Sequence, residues 1–121
     1  MPSVLIVEDE PELAGLLGDV LSASGYDVVL TTAGQAADRI EKGQPSVVVL
    51  DYLMPGRSGA EVVWQLRERL GTAVPPVLLV TGLHNAPELA EQIGAQAFLR
   101  KPFDVDAFVR VVGELAQAPR T

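Results

Sequence analysis

Five short apolar runs constrain this chain more than any other feature: Val4-Leu-Ile-Val7, Val28-Val-Leu30, Val47-Val-Val-Leu50, Val77-Leu-Leu-Val80 and Ala97-Phe-Leu99. Each is too short for a helix, and each is built mainly from β-branched residues or leucine. None alternates apolar with polar residues. A strand with one wet face must alternate, so these runs read as strands covered on both faces, as in a parallel sheet under helices.

Between the runs the period changes. Leu13, Leu16, Leu17, Val20 and Leu21 fall at i, i+3, i+4, i+7 and i+8, one apolar stripe on a helix that Pro11 opens. Ala36, Ala37 and Ile40 mark a second helix, and Val62, Val63, Leu66 and Leu70 a third. Ala86, Leu89, Ala90 and Ile93 mark a fourth, with Asn85 and Glu88 spaced as a capping box. Val105, Phe108, Val109 and Val112 mark a fifth, with Asp104 as its N-cap. Gly25, Gly43, Gly71 and Gly94 follow the first four helices, where the chain often needs positive φ.

The unit is therefore strand–helix, five times. With right-handed crossovers it closes into one doubly wound, flavodoxin-like α/β domain of strand order 2-1-3-4-5. A chain of 121 residues suffices for one such core and not for two. The domain is expected over 1–117, with 118–121 as a tail or the start of a linker.

Composition then removes whole classes of chemistry. The chain has no cysteine, which excludes disulfides, thiolate metal sites and a cysteine nucleophile. Its single histidine, His84, cannot build a histidine-rich metal site, and we assign it no role. A net charge of −7 repels phosphate backbones, so no direct nucleic-acid binding is expected. No apolar run approaches the roughly 20 residues of a membrane span. Met-Pro-Ser lacks the basic stretch of a signal peptide, so the expected setting is the cytoplasm.

Ligands of such sheets lie beyond the carboxyl ends of the strands. There strand one gives way to Glu8-Asp9, strand three ends at Asp51, strand four at Thr81, and strand five runs through Arg100 into Lys101-Pro102. In order 2-1-3-4-5 these ends are neighbours. Clustered carboxylates repel one another unless a cation joins them. Oxygen ligands without Cys or His favour a hard ion, Mg²⁺ with Mn²⁺ as the alternative. Such an ion beside a Lys and a Thr suits a phosphoryl group, and a carboxylate can itself take that group as an acyl phosphate.

The motifs that carry these residues are Val4-Leu-Ile-Val-Glu-Asp-Glu10, Val48-Val-Leu-Asp-Tyr-Leu-Met-Pro-Gly56 with Ser58-Gly59, Leu79-Val-Thr-Gly82, and Gly94-Ala-Gln-Ala-Phe-Leu-Arg-Lys-Pro-Phe103. In order and spacing they resemble the receiver domain of two-component response regulators over nearly the whole chain. The resemblance implies that Asp51 is the phosphoryl acceptor, and that Glu8, Asp9, Asp51 and the backbone carbonyl of Leu53 hold Mg²⁺. It implies that Lys101 pairs with the phosphoryl group and that Thr81 bonds it and shifts toward it. Phe98 takes the place of the aromatic switch residue, without a tyrosine's hydroxyl. Lys101-Pro102 is implied to be a cis peptide.

The same resemblance implies a donor, a histidine kinase or histidine phosphotransfer protein. It also implies a response, a change of the surface made by the fourth helix, fifth strand and fifth helix. A phosphorylation-dependent dimer is compatible with it, although Gln96-Ala97 lacks the acidic residues that winged-helix regulators use there. The output domain or target is not written in this sequence. Such a module is not a turnover enzyme; it assists its own phosphorylation and slow dephosphorylation. Leu53 and Leu83 occupy the positions best placed to guide or block the hydrolytic water. Neither can hydrogen-bond it, so the acyl phosphate is expected to be long-lived.

Two other readings fit less well. An Asp-nucleophile phosphohydrolase needs an acid two residues after the nucleophile, where Leu53 stands. A flavin- or nucleotide-binding module of this topology needs a Gly/Ser/Thr-rich loop after strand one, where Glu-Asp-Glu-Pro stands. Trp64 lies off its helix's apolar stripe and reads as a partly exposed packing residue. Arg39, Arg67, Arg69 and Arg110 read as solvated helix faces.

Overall fold

A computed structural model describes residues 2–54 and 56–117. Its main sheet has five parallel strands, β1 (Ser3–Val7), β2 (Asp27–Thr31), β3 (Val47–Asp51), β4 (Val77–Thr81) and β5 (Ala97–Arg100). Their order is β2-β1-β3-β4-β5, the expected doubly wound arrangement. Five helices connect and follow them: α1 (Pro11–Ala23), α2 (Ala36–Gly43), α3 (Gly59–Leu70), α4 (Ala86–Ile93) and α5 (Val105–Gln117). The expected tail, 118–121, lies outside the described residues.

Period-two geometry splits each central strand between two cores. Leu5, Val7, Val48, Leu50, Val77 and Leu79 face one cluster, roofed by Ala36 and Ile40 of α2, Val62, Val63 and Leu66 of α3, and Leu89, Ala90 and Ile93 of α4. Val4, Ile6, Val47, Val49, Leu78 and Val80 face the other, with Leu17 and Leu21 of α1 and Phe108 and Val112 of α5. This is why the runs in β1, β3 and β4 do not alternate. The edges depart from the expectation of burial on both faces. Val29 and Leu30 of β2 and Phe98 of β5 are exposed, because an edge strand has no neighbour beyond it and only partial helix cover.

The ends of the helices follow the local sequence at some positions and depart from it at others. Pro11 stands in the first turn of α1. The Asp104 carboxylate accepts the Asp106 N–H at 3.3 Å, as an N-cap should. The capping box does not form: Asn85 precedes α4, yet its side chain makes no cap hydrogen bond. After α2 the left-handed residue is Gln44, at φ 46°, and Gly43 is the last helical residue. Leu16 is exposed, so the stripe on α1 is narrower than its spacing implied. Arg67 and Arg69 are not idle solvated residues. Arg67 donates to the Gly94 carbonyl at 3.1 Å, linking α3 to the end of α4. Arg69 pairs with Asp38 at 2.6 Å and with Glu41, linking α3 to α2. Trp64 is 57% exposed, in line with its position off the stripe.

Between β3 and α3 the chain forms a two-residue antiparallel ribbon, Leu53–Met54 against Arg57–Ser58. Ser58 then caps α3, its hydroxyl accepting the Glu61 N–H at 3.3 Å. Among the described residues no helix is long and apolar enough to cross a membrane.

Candidate functional site

The carboxyl edge of β1, β3, β4 and β5 gathers the acidic, hydroxyl and ammonium groups that the sequence placed there. Glu8 leaves β1 directly after the fully buried Val7. Its side chain is only 4% exposed, and Asp51, at the end of β3, is 14% exposed. Lys101 reaches between them, with Nζ 3.4 Å from Asp51 Oδ1 and 3.9 Å from Glu8 Oε1. The Lys101–Pro102 peptide is cis.

One lysine does not neutralise two carboxylates in so dry a place. The Glu8 carboxyl is pushed up to about 8, first by burial, then by its hydrogen bond with Asp51 and by the charge of Asp51. Lys101 opposes that rise, and Glu10 adds slightly to it. The other Glu8 oxygen, Oε2, is buried with no hydrogen-bond partner among the described residues. A buried carboxylate oxygen without a partner is costly, and it calls for a proton, a water or a cation.

The backbone around Asp51 is held closely. The Tyr52 N–H donates to the Val80 carbonyl at 3.1 Å, extending the pairing of β3 with β4 past the acidic residue. The Gly59 N–H donates to the Tyr52 carbonyl at 2.6 Å. A β-carbon on Gly59 would lie 3.0 Å from Tyr52 Cα and 3.3 Å from the Asp51 carbonyl oxygen, so glycine permits this approach. Beneath the carboxylates a cavity of about 10 Å³, lined by Val7, Glu8, Asp51, Val80 and Lys101 among others, is close to the space one water needs.

Thr81 ends β4 almost fully buried, at 1% exposure. Its carbonyl accepts the Lys101 N–H at 2.7 Å, and its hydroxyl accepts the Leu83 N–H at 3.2 Å. Leu53 stands at the mouth, 58% exposed. Leu83 is partly buried against the cluster under α2, α3 and α4. Asp9 is exposed beside Glu8. Phe98 lies on β5 opposite Leu79, 38% exposed. Glu8, Asp51 and Lys101 thus meet, Thr81 anchors the strand beside them, and Asp9, Leu53 and Phe98 lie farther out.

A hard cation suits this donor set. All side-chain ligands are oxygens, and one of them is buried and unpartnered. Among the described residues no three His, Cys, Asp or Glu side chains converge into a ready-made cage. Mg²⁺ is a cation that can bind through one or two carboxylates and keep most of its water.

Sequence reasoning missed Arg100. Its guanidinium donates to the His84 carbonyl at 2.9 Å, joining the end of β5 to the segment after Thr81. Nothing in the chain's periodicity signals a side chain bonding a loop carbonyl 16 residues away.

A family model for the response regulator receiver domain matches residues 4–113. The chain is 32% identical over 122 residues to the phosphate regulon transcriptional regulatory protein PhoB of Rhizobium meliloti, covering 98% of this chain and 54% of that protein. It is 36% identical over 106 residues to the sensory transduction protein RegX3 of Mycobacterium tuberculosis, covering 85% of this chain and 45% of that one. It therefore spans about half the length of these curated relatives. Among solved structures, the response regulator protein TrrA from Thermotoga maritima, crystallised with Mg²⁺ and BeF, superposes with a TM-score of 0.81. That protein is 28% identical, with 95% of this chain and 99% of that chain covered.

Proposed function

This chain belongs to the response regulator receiver domain family, and on that premise we propose that it is a phosphorylation-dependent signalling switch with Asp51 as its phosphoryl acceptor. The observation that carries the reading is the Lys101 ammonium set between the buried Glu8 and Asp51 carboxylates, with one Glu8 oxygen left unpartnered. Charge is arranged there for an incoming anion and a cation together.

In this reading an Asp51 oxygen attacks the phosphorus of a phosphohistidine on a histidine kinase or phosphotransfer protein. The P–N bond breaks, the imidazole leaves with the electron pair, and an acyl phosphate forms on Asp51. Glu8, Asp9, Asp51 and the Leu53 carbonyl would hold Mg²⁺, which would supply positive charge to the phosphoryl oxygens when bound. Lys101 holds a second oxygen, and Thr81 turns its hydroxyl toward a third. Phe98 follows Thr81 and thereby alters the surface of α4, β5 and α5. The same groups assist slow hydrolysis, so the domain modifies itself without turning over a substrate. Leu53 at the position of a phosphohydrolase's general acid argues against that alternative.

Because the relatives extend well beyond this match, delivery of the signal to an output region or partner belongs to the proposal as well. The test is incubation with acetyl phosphate, read by intact mass. One phosphoryl group should appear with Mg²⁺ and not without it. Phosphorylation that persists in Asp51→Asn rejects the assignment.

A further inference from the structure

Residues 82–85 join β4 to α4 and are mostly exposed. Three hydrogen bonds fix where this segment runs. The Thr81 carbonyl accepts the Lys101 N–H at 2.7 Å, a rung of the ladder between β4 and β5. The Leu83 N–H donates to the Thr81 hydroxyl at 3.2 Å, a bond internal to the segment. The third ties the segment to β5 through a side chain, from the Arg100 guanidinium to the His84 carbonyl at 2.9 Å.

Arg100 is placed for this. It stands opposite Thr81 in the register of β5 with β4. Ala97 and Leu99 of β5 pack against the core under α1 and α5, so Phe98 and Arg100 share the other face, toward α4. Among the described residues no carboxylate lies within 4.0 Å of Arg100, so its bond partner is the loop carbonyl. A planar guanidinium suits a carbonyl held at the end of a long reach.

We infer that Arg100 is a positioning residue, a latch that holds residues 82–85 in the conformation preceding phosphorylation and so opposes the movement of Thr81 toward Asp51. The inference rests on the phosphoacceptor reading above. In the latched arrangement the Thr81 hydroxyl is engaged by Leu83, and Asp51 is engaged by Lys101. A movement of Thr81 that carries the segment toward Asp51 would pull the His84 carbonyl against its bond with Arg100. The latch biases a two-state element by about the strength of one solvent-exposed hydrogen bond, roughly three- to tenfold in the equilibrium.

The variant that tests it is Arg100→Met, which keeps the aliphatic stem and removes the donors. Arg110→Met is the charge control, since Arg110 is an exposed residue of α5. The chain's only histidine, His84, gives ring-proton NMR signals that report on this segment. In Arg100→Met the initial rate of acceptance from acetyl phosphate should rise about three- to tenfold, with the melting temperature lowered by no more than about several degrees. Without any phosphoryl donor, the His84 signals should already lie part-way toward the positions that Mg²⁺ and beryllofluoride induce in the wild type. A rate that is unchanged or slower in Arg100→Met overturns the latch, as does an equal acceleration in Arg110→Met. Failure of the phosphoacceptor reading shows separately, as an Asp51→Asn protein that still accepts phosphate, while the donor-free His84 signals still test the latch.

Discussion

At the carboxyl edge of the sheet, Glu8 and Asp51 follow strands buried along nearly their whole length, whereas residues 82–85 and strand β5 stand partly in solvent. The first half is positioned by packing. Val7 and Leu50 are 0% exposed, and both faces of their strands are roofed by helices. The second half is packed less completely, through Ala97, Leu99 and Leu83, and residues 82–85 are tied to β4 and β5 by single hydrogen bonds from Leu83 and Arg100. Packing in a dense interior is costly to deform, while one exposed hydrogen bond is exchanged with water at little cost. The two halves thus differ in packing, with Glu8 and Asp51 on densely packed strands and residues 82–85 on a more open segment.

The comparison breaks most sharply under core truncation. Leu50→Ala should cost about 2 to 5 kcal/mol of unfolding free energy, because the packed site cannot collapse around the lost methyls. Phe98→Ala, on the exposed edge, should cost about 1 kcal/mol or less. Denaturant unfolding of both variants measures the contrast, and similar losses would mean that β5 is as rigid as β3.

The charged half has its own signature in pH. Burial beside Asp51 pushes the Glu8 carboxyl up to about 8, from 4.5 for an ordinary glutamate. The folded state therefore holds the extra proton between those values, and the metal-free protein should lose stability as pH rises from about 4.5 to about 8. The loss should amount to a few kcal/mol, flatten above that window, and disappear in Glu8→Gln. Mg²⁺ should restore about 1 to 2 kcal/mol at several- to tens-fold excess over its Kd, more at high pH than at low. Melting curves against pH, with and without Mg²⁺, decide both.

The smallest effect concerns the lifetime of the acyl phosphate. Leu53 is open to solvent at the mouth, while Leu83 is partly buried against the core. Leu53→Asn should speed decay a few-fold by orienting the attacking water, and Leu83→Glu should speed it less. Decay followed by intact mass gives the rates. Polar variants that decay no faster than wild type would show that side-chain shielding does not set the lifetime.

What was legible in the sequence follows the same division. Runs such as Val47–Leu50 announce a strand buried on both faces, and the acids and Thr81 that end such runs are located with them. Strand order then brings the ends together without any further signal. The more open half was less legible. Asn85 and Glu88 have capping-box spacing, yet no cap bond forms. Arg67 and Arg69 have the pattern of solvated charges and Arg100 carries no signal of its own, yet each bonds a group distant in sequence. Long flexible side chains choose partners by three-dimensional proximity, which periodicity does not encode. Leu16 is legible as apolar but not as exposed.

The close approach of Gly59 to Tyr52 has a consequence for anyone who would vary or transplant this site. Residue 59 bears no functional group and lies eight positions after Asp51, so a library aimed at the reactive side chains would leave it free to mutate. Yet any side chain there would push on Tyr52 Cα and on the carbonyl oxygen of Asp51 itself. Such a substitution would press on the backbone that carries Asp51 while leaving every charged residue in place. Position 59 is thus best inherited as a fixed unit with Asp51 and Tyr52, and a graft that carries the acids without that glycine would copy the charges and lose their alignment.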